Sequence, residues 1–109
     1  MFRVIAGLTL CVGLAATAAA QDAKVAKGQK IFADQKCSLC HSVGDKGNKK
    51  GPLDGVGAKL KSDDIREWIV DAKGMTAKTK ATRKPDMKAY ALPKDDVDAL
   101  VAYLATLKK

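Results

Sequence analysis

The stretch Cys37-Ser38-Leu39-Cys40-His41 has two thiols separated by two residues, and the only histidine of the chain follows at once. This order is the attachment pattern of a c-type haem, in which each thiol forms a thioether with one vinyl group of the porphyrin. The adjacent imidazole is then held under the ring, where it can bind the iron. We therefore predict a single haem c attached through Cys37 and Cys40, with His41 as an iron ligand.

Three other roles of a Cys-x-x-Cys pair stay open at this point. A redox dithiol is typical of alternating strands and helices, a pattern that this sequence does not show. A zinc site needs further ligands, and Cys11 is the only other thiol in the chain. A structural disulfide is compatible with an exported protein.

The first 20 residues have the features of a secretory signal peptide. Arg3 supplies a positive charge, an apolar run from residue 4 to residue 14 follows, and Ala18 and Ala20 are the small residues of a cleavage site. We expect cleavage after about Ala20 and export to the periplasm. The alternative is an uncleaved membrane anchor, because the apolar stretch is almost long enough to span a bilayer. The small residues at its end favour cleavage, so we expect no stable membrane insertion of the mature protein.

Removal of residues 1–20 leaves a domain of 89 residues, 21–109, with a net charge of +7, because Arg3 is the only charged residue of the leader. A domain of this size buries a small core and usually gains stability from a disulfide, a metal or a prosthetic group. A haem would supply such an apolar centre. The basic charge does not indicate nucleic acid, because the chain is predicted to be exported and has no nucleic-acid-binding motif.

Hydrophobic periodicity predicts three helices and no strand. The first covers residues 22–35, the second begins at Ser62 or Asp63 and ends at about Lys73, and the third runs from about Pro93 to Leu107. Their apolar faces contain Val25, Gly28, Ile31 and Phe32; Ile65, Trp68 and Ile69; and Val97, Leu100, Val101, Leu104 and Leu107. The glycine-rich stretch 42–58 and the basic stretch 74–92 are predicted to be irregular, and the first of them to wrap a haem edge.

An iron bound by His41 needs a second axial ligand, and the chain offers no other histidine. A methionine thioether is the remaining choice, and it raises the reduction potential. We favour Met87 over Met75, because Met87 lies in a polar, lysine-rich stretch where a core-filling methionine is not expected.

The sequence resembles the class I cytochromes c, of the small soluble monohaem bacterial type, over essentially all of its mature length. The resemblance is carried by Gly28 and Phe32, Cys37-Ser38-Leu39-Cys40-His41, Gly51-Pro52-Leu53-Asp54-Gly55, Met87, and Leu100-Val101-Ala102-Tyr103-Leu104. It implies an all-α cytochrome c fold of three to five short helices around one haem.

The resemblance also implies specific contacts. Gly28 and Phe32 should pack against the last helix near Tyr103, the Pro52 carbonyl should accept the second ring N–H of His41, and Leu53 and Trp68 should line the haem pocket. Two positions differ from many relatives, which have a proline directly after the ligand methionine and a serine at the start of the last helix. Here Lys88 and Pro93 stand at these positions.

If protein groups fill both axial positions, the iron can only gain and lose an electron, so we expect a one-electron carrier and not an enzyme. The basic run from Lys73 to Lys88 should dock on acidic sites of redox partner proteins. Two alternatives stay open: a haem subunit of an exported dehydrogenase complex, and a ligand sensor or weak peroxidase in which Met87 does not bind iron. The protein would accordingly be a monomer or a subunit of such a complex.

Overall fold

Helices make up most of the fold in the computed structural model, which describes residues 10–109, with side chains from Thr17 onward. The helices are α1 (Leu10–Asp34), α2 (Val56–Lys59), α3 (Ser62–Val70), α4 (Ala72–Thr79) and α5 (Lys94–Ala105). A single 3₁₀ turn covers Cys37–Leu39, and two short strands, β1 (Ser42–Val43) and β2 (Lys46–Gly47), pair antiparallel. The predicted all-α class is confirmed.

The core is organised around α5, against which α1, α2 and α3 pack, while α4 packs against α3. The predicted apolar faces supply this core, because the clustered buried residues come from those faces of α1, α3 and α5. The cluster contains Ile31, Phe32, Ile65, Ile69, Val97, Ala99, Leu100, Val101, Tyr103 and Leu104. Val25 and Leu107, at the ends of two predicted faces, are only half-buried.

The crossing of α1 and α5 depends on Gly28. A Cβ at this position would collide with the carbonyl oxygen of Ala99 and would lie 2.7 Å from the Cβ of Tyr103. One turn further along α1, the Phe32 ring meets Tyr103 edge to face, with ring centroids 5.8 Å apart. The contacts predicted for Gly28 and Phe32 are therefore confirmed.

Several predicted boundaries need correction. The described part of helix α1 starts at Leu10, not at Asp22 as predicted. The stretch before Gln21 is rich in alanine, the residue with the highest helix propensity, and so it continues the helix. The first nine residues of the predicted leader lie outside the described residues, and cleavage after Ala20 stays a prediction. Among the described residues, no helix is both long enough and apolar enough to cross a bilayer.

The second predicted helix, to about Lys73, is in fact two helices. Helix α3 ends at Val70, and Asp71, with φ −142° and ψ 57°, separates it from α4. The Asp71 carboxylate accepts a hydrogen bond from the Gly74 N–H at 3.2 Å and so caps α4. The prediction that 74–92 is irregular is therefore wrong up to Thr79.

The glycine-rich stretch 42–58 is also more regular than predicted. It contains the β1–β2 hairpin, whose turn uses Gly44 at φ 59°, and the single turn of α2. Helix α5 begins at Lys94, directly after Pro93, with Asp95 and Asp96 in its first turn. Their negative charges stabilise α5 by interacting with the positive end of its helix dipole.

Candidate functional site

The Cys37–His41 motif is a tight turn at the end of α1. Lys36 has a left-handed backbone conformation with φ 57°, which turns the chain away from the axis of α1. The 3₁₀ turn follows directly. The N–H groups of Cys40 and His41 both donate to the carbonyl oxygen of Cys37, at 3.2 and 2.9 Å. This compact turn places both thiols and the imidazole within one short segment, as the motif spacing requires.

The two cysteines have different surroundings. Cys37 is half-buried and packs against the core cluster, whereas Cys40 is exposed, and both are free thiols. Burial raises the pKa of the Cys37 thiol, against the opposing effects of its backbone hydrogen bond and of the Lys88 ammonium. Because neither thiol is part of a disulfide, both sulfur atoms are available to form thioethers.

The His41 ring is fixed by a backbone acceptor. Its Nδ1 donates to the carbonyl oxygen of Gly51 at 3.0 Å. The predicted acceptor, the carbonyl of Pro52, is wrong, because the carbonyl of the preceding residue accepts this bond. Because a carbonyl can only accept, this bond assigns the proton to Nδ1 and leaves the lone pair on Nε2. A metal-binding imidazole commonly has this arrangement.

The register of the following loop explains why Gly51 is the acceptor. Ser42 and Pro52 form a parallel bridge, in which the Ser42 N–H donates to Gly51 O at 3.1 Å and the Leu53 N–H donates to Ser42 O at 2.9 Å. Among the side chains that the structure describes, Ser42 is the one buried polar residue, with 2% of its surface exposed. This bridge directs the Gly51 carbonyl towards His41.

The surroundings of His41 favour its neutral form. Burial lowers the pKa of the imidazole, the hydrogen bond to Gly51 opposes this effect, and the charge of Arg83 lowers the pKa further. A neutral imidazole with a free lone pair is the form that binds iron.

The segment between α4 and α5 approaches the same motif. The Arg83 guanidinium lies against Gly51, and the Lys88 charge acts on Cys37. Burial raises the pKa of Tyr90, and the negative charge of Cys37 and Cys40 in their ionised form raises it further. Tyr90 is also attached to α3, since its N–H donates to Ile69 O at 2.8 Å.

The other predicted site residues have varied positions. Met87 is half-buried, in the stretch between Arg83 and Lys88 that approaches the motif, whereas Met75 is buried in α4 with 6% of its surface exposed. Leu53 is half-buried against the core, and Pro52 is exposed on the bridge to Ser42. Trp68 is half-buried on α3, and its place in a haem pocket stays a prediction.

Sequence reasoning missed three residues that shape the site. Gly51 supplies the acceptor for His41, and Arg83 lies over it. Asn48 holds the turn, because its N–H donates to Ser38 O and His41 O, both at 3.0 Å, and its side-chain amide donates to Leu39 O at 3.1 Å. Gly51 stood in a motif already noted, but no local pattern marks Arg83 or Asn48.

The residues present fit a covalently attached haem. Two free thiols flank the turn, and His41 offers Nε2. Half-buried apolar side chains pack against the core cluster, and one of them, Tyr90, lies near both thiols. These side chains are Val43, Leu53, Val56, Leu60, Tyr90 and Leu92. Among residues 17–109, whose side chains the structure describes, no group of three or more His, Cys, Asp or Glu side chains forms a metal-binding cluster.

Comparisons with known proteins agree with this chemistry. The family model described as Cytochrome c matches residues 25–108, a range that contains the motif, Met87 and α5. A search of the curated proteins and a search of the solved structures gave no match. The chain therefore belongs to the cytochrome c family, whose members transfer electrons through covalently bound haem.

Proposed function

We propose that the protein is an exported one-electron carrier, with a haem c attached to Cys37 and Cys40 and with His41 and Met87 as axial ligands. The observation that carries the proposal is the geometry of His41, whose Nδ1 is occupied by Gly51 O at 3.0 Å. When bound, the haem supplies the gain and loss of one electron.

The role of His41 follows from its hydrogen bond. The Gly51 carbonyl fixes the tautomer and the orientation of the ring, so Nε2 can bind the iron without rotation of the ring. A hydrogen bond of this type also makes the imidazole a stronger electron donor to a metal. The bridge between Ser42 and Pro52 holds the carbonyl in place.

Burial and position both support Met87 as the second ligand. Met75 is buried in α4, where a thioether packs as an ordinary core side chain. Met87 is half-buried in a stretch without regular structure, between two residues that approach the motif. A short extended segment can carry its thioether to the iron without unfolding a helix.

Half-buried apolar side chains would help to exclude water from the site. Leu53, Tyr90 and Leu92 keep part of their surface exposed although they pack against the core. An apolar environment disfavours the extra positive charge of the oxidised state and so raises the reduction potential.

Charge distribution supports docking on acidic partners. The ion pairs on the α1, α3 and α5 side join Lys27 to Asp96 at 3.3 Å, and Arg66 and Lys94 to Asp98 at 2.6 and 3.0 Å. In the basic run from Lys73 to Lys88, Lys84 pairs with Asp86. The other cations of this run have no acidic partner among the described residues, and these are Lys73, Lys78, Lys80, Arg83 and Lys88.

The haem-attachment motif also contains an exposed apolar side chain. Leu39, between the two cysteines, has 69% of its surface exposed, although large apolar side chains are usually covered. An exposed apolar residue within the haem-attachment motif suits a small, transient interface for electron transfer.

Substitution of the two methionines tests the axial ligand. Met87→Ala should abolish the sulfur-to-iron charge-transfer band of the oxidised protein and let carbon monoxide bind the reduced protein. Met75→Ala is the matched control and should keep the band while losing about 2–5 kcal/mol of stability. Loss of the band in Met75→Ala would contradict the ligand assignment. Ready binding of carbon monoxide by the wild type would favour the sensor or peroxidase alternative.

Charge substitutions test the docking surface. Replacement of Lys78, Lys80 and Lys88 by Gln should slow electron exchange with anionic hexacyanoferrate and weaken its salt dependence. Replacement of Lys24, Lys27 and Lys30 by Gln changes the net charge equally and should have a smaller effect. Equal effects of the two triple variants would contradict a localised docking surface.

Co-purification with a larger chain would favour the dehydrogenase-subunit alternative.

A further inference from the structure

Arg83 places a positive charge beside the hydrogen bond that holds His41. Its guanidinium carbon would lie 3.0 Å from a Cβ built on Gly51, and its Nη1 would collide with that atom. The guanidinium is thus packed against the backbone of the residue whose carbonyl accepts from His41. Arg83 follows His41 by 42 residues in the sequence, so the fold and not the motif creates this contact.

The charge of Arg83 has no acidic partner among the side chains that the structure describes. Among residues 10–109, Arg83 makes no ion pair and no side-chain hydrogen bond. The adjacent Lys84 differs, because its ammonium binds the Asp86 carboxylate at 2.7 Å. The two neighbouring cations therefore form a natural comparison, one unpaired beside Gly51 and one paired in solvent.

Electrostatics gives this unpaired charge a direction of effect. A cation packed against Gly51 draws electron density from its peptide group and so weakens the carbonyl oxygen as an acceptor for the Nδ1–H of His41. The imidazole then donates less electron density to a metal, which favours the reduced state. Direct repulsion between the guanidinium and the extra positive charge of the oxidised state acts in the same direction.

We infer that Arg83 is a positioning residue for electron transfer, whose guanidinium acts through the Gly51 carbonyl and His41 to stabilise the reduced protein. The inference rests on the proposed ligation by His41. Because Arg83 is exposed, its effect should have the size of a surface charge interaction and should be screened by salt.

The reduction potential of charge variants tests the inference. In Arg83→Gln, the equilibrium between oxidised and reduced protein should shift about two- to fivefold towards the oxidised form, and the shift should shrink at high salt. Arg83→Lys should keep most of the wild-type value, and Lys84→Gln should change it less than Arg83→Gln. An unchanged potential in Arg83→Gln, or an equal change in Lys84→Gln, would overturn the inference.

A second readout follows the route of the effect. The Ser42 N–H donates to the same Gly51 carbonyl at 3.1 Å, so it reports on that oxygen directly. In the reduced holoprotein, Arg83→Gln should move the Ser42 amide proton downfield, because the carbonyl becomes a better acceptor, and Lys84→Gln should not. A changed potential with an unmoved Ser42 proton would contradict the route through Gly51.

The visible spectrum distinguishes two kinds of failure. A wild-type protein without a covalent haem spectrum contradicts the proposed function, and this inference with it. A haem-loaded Arg83→Gln protein with the wild-type potential contradicts the inference alone.

Discussion

Gly51 has no room for a side chain, because a Cβ would collide with the carbonyl oxygen of Cys40 and with the guanidinium of Arg83. The arginine is flexible and can move away. The Cys40 carbonyl belongs to the motif backbone, so it can move only if the turn that carries His41 moves too. The identity of residue 51 is therefore connected to the position of the iron ligand.

Gly51→Ala should lower the free energy of unfolding by about 1–3 kcal/mol, the usual cost of overpacking, and should also reduce haem incorporation. Urea denaturation and the haem-to-protein absorbance ratio measure the two effects. Gly44→Ala is the control: Gly44 has φ 59° and nothing within 4 Å of a built Cβ. It should lose about 1–2 kcal/mol through backbone strain but keep haem incorporation. Wild-type incorporation in Gly51→Ala would contradict this account.

At the scale of the secondary-structure elements, the contact between α1 and α5 has the least tolerance for change. Gly28→Ala gains about 1 kcal/mol in helix propensity. The added methyl group collides with the Ala99 backbone, so we expect a net loss of about 1–3 kcal/mol in urea denaturation. Gln29→Ala, at an exposed neighbouring position of α1, should be nearly neutral. A stability of Gly28→Ala at or above that of the wild type would contradict the close approach of the two helices.

The link between α3 and α5 should depend on pH. Hydrogen bonds from Lys94 and Arg66 lower the pKa of the Asp98 carboxyl below its ordinary value. The unfolded chain then binds the proton more readily, so the stabilisation is present above the unfolded pKa of about 3.9 and is lost as the pH falls through the lower folded value.

Asp98→Asn should therefore be less stable than the wild type at pH 7, with a difference that shrinks as the pH falls below about 4. Urea denaturation at several pH values measures this difference. Asp95→Asn removes an acid without an ion pair among residues 10–109 and is the control. A destabilisation by Asp98→Asn that is the same at pH 7 and at pH 3 would contradict the ionic link.

Periodicity predicted the elements that pack by an apolar face and missed those held by local hydrogen bonds. The faces around Phe32, Ile65 and Leu100 are long and regular, so α1, α3 and α5 were predictable. Helix α4 was missed because Gly74 lowers helix propensity, whereas the Asp71 cap that stabilises it becomes visible only in three dimensions. The β1–β2 hairpin has only two residues in each strand, too few for a periodic pattern.

At the scale of the whole molecule, the site joins a local motif to distant segments. The spacing of Cys37, Cys40 and His41 was sufficient to predict the attachment chemistry, because covalent geometry dictates it. The acceptor for His41 was predicted one residue too late, since the choice between adjacent carbonyls depends on the register of the bridge at Ser42. The contact of Arg83 with Gly51 depends on the path of the chain between α4 and α5, which has no periodic signal.

The central claim is that a haem is bonded to Cys37 and Cys40 and that its iron is closed by protein ligands on both sides. Visible absorption of the exported protein, recorded before and after acid–acetone extraction, tests it most directly. We predict a c-type spectrum that stays with the polypeptide after extraction and does not change when carbon monoxide is added to the reduced protein. A colourless protein, pigment that passes into the solvent, or a carbon monoxide spectrum would contradict the account.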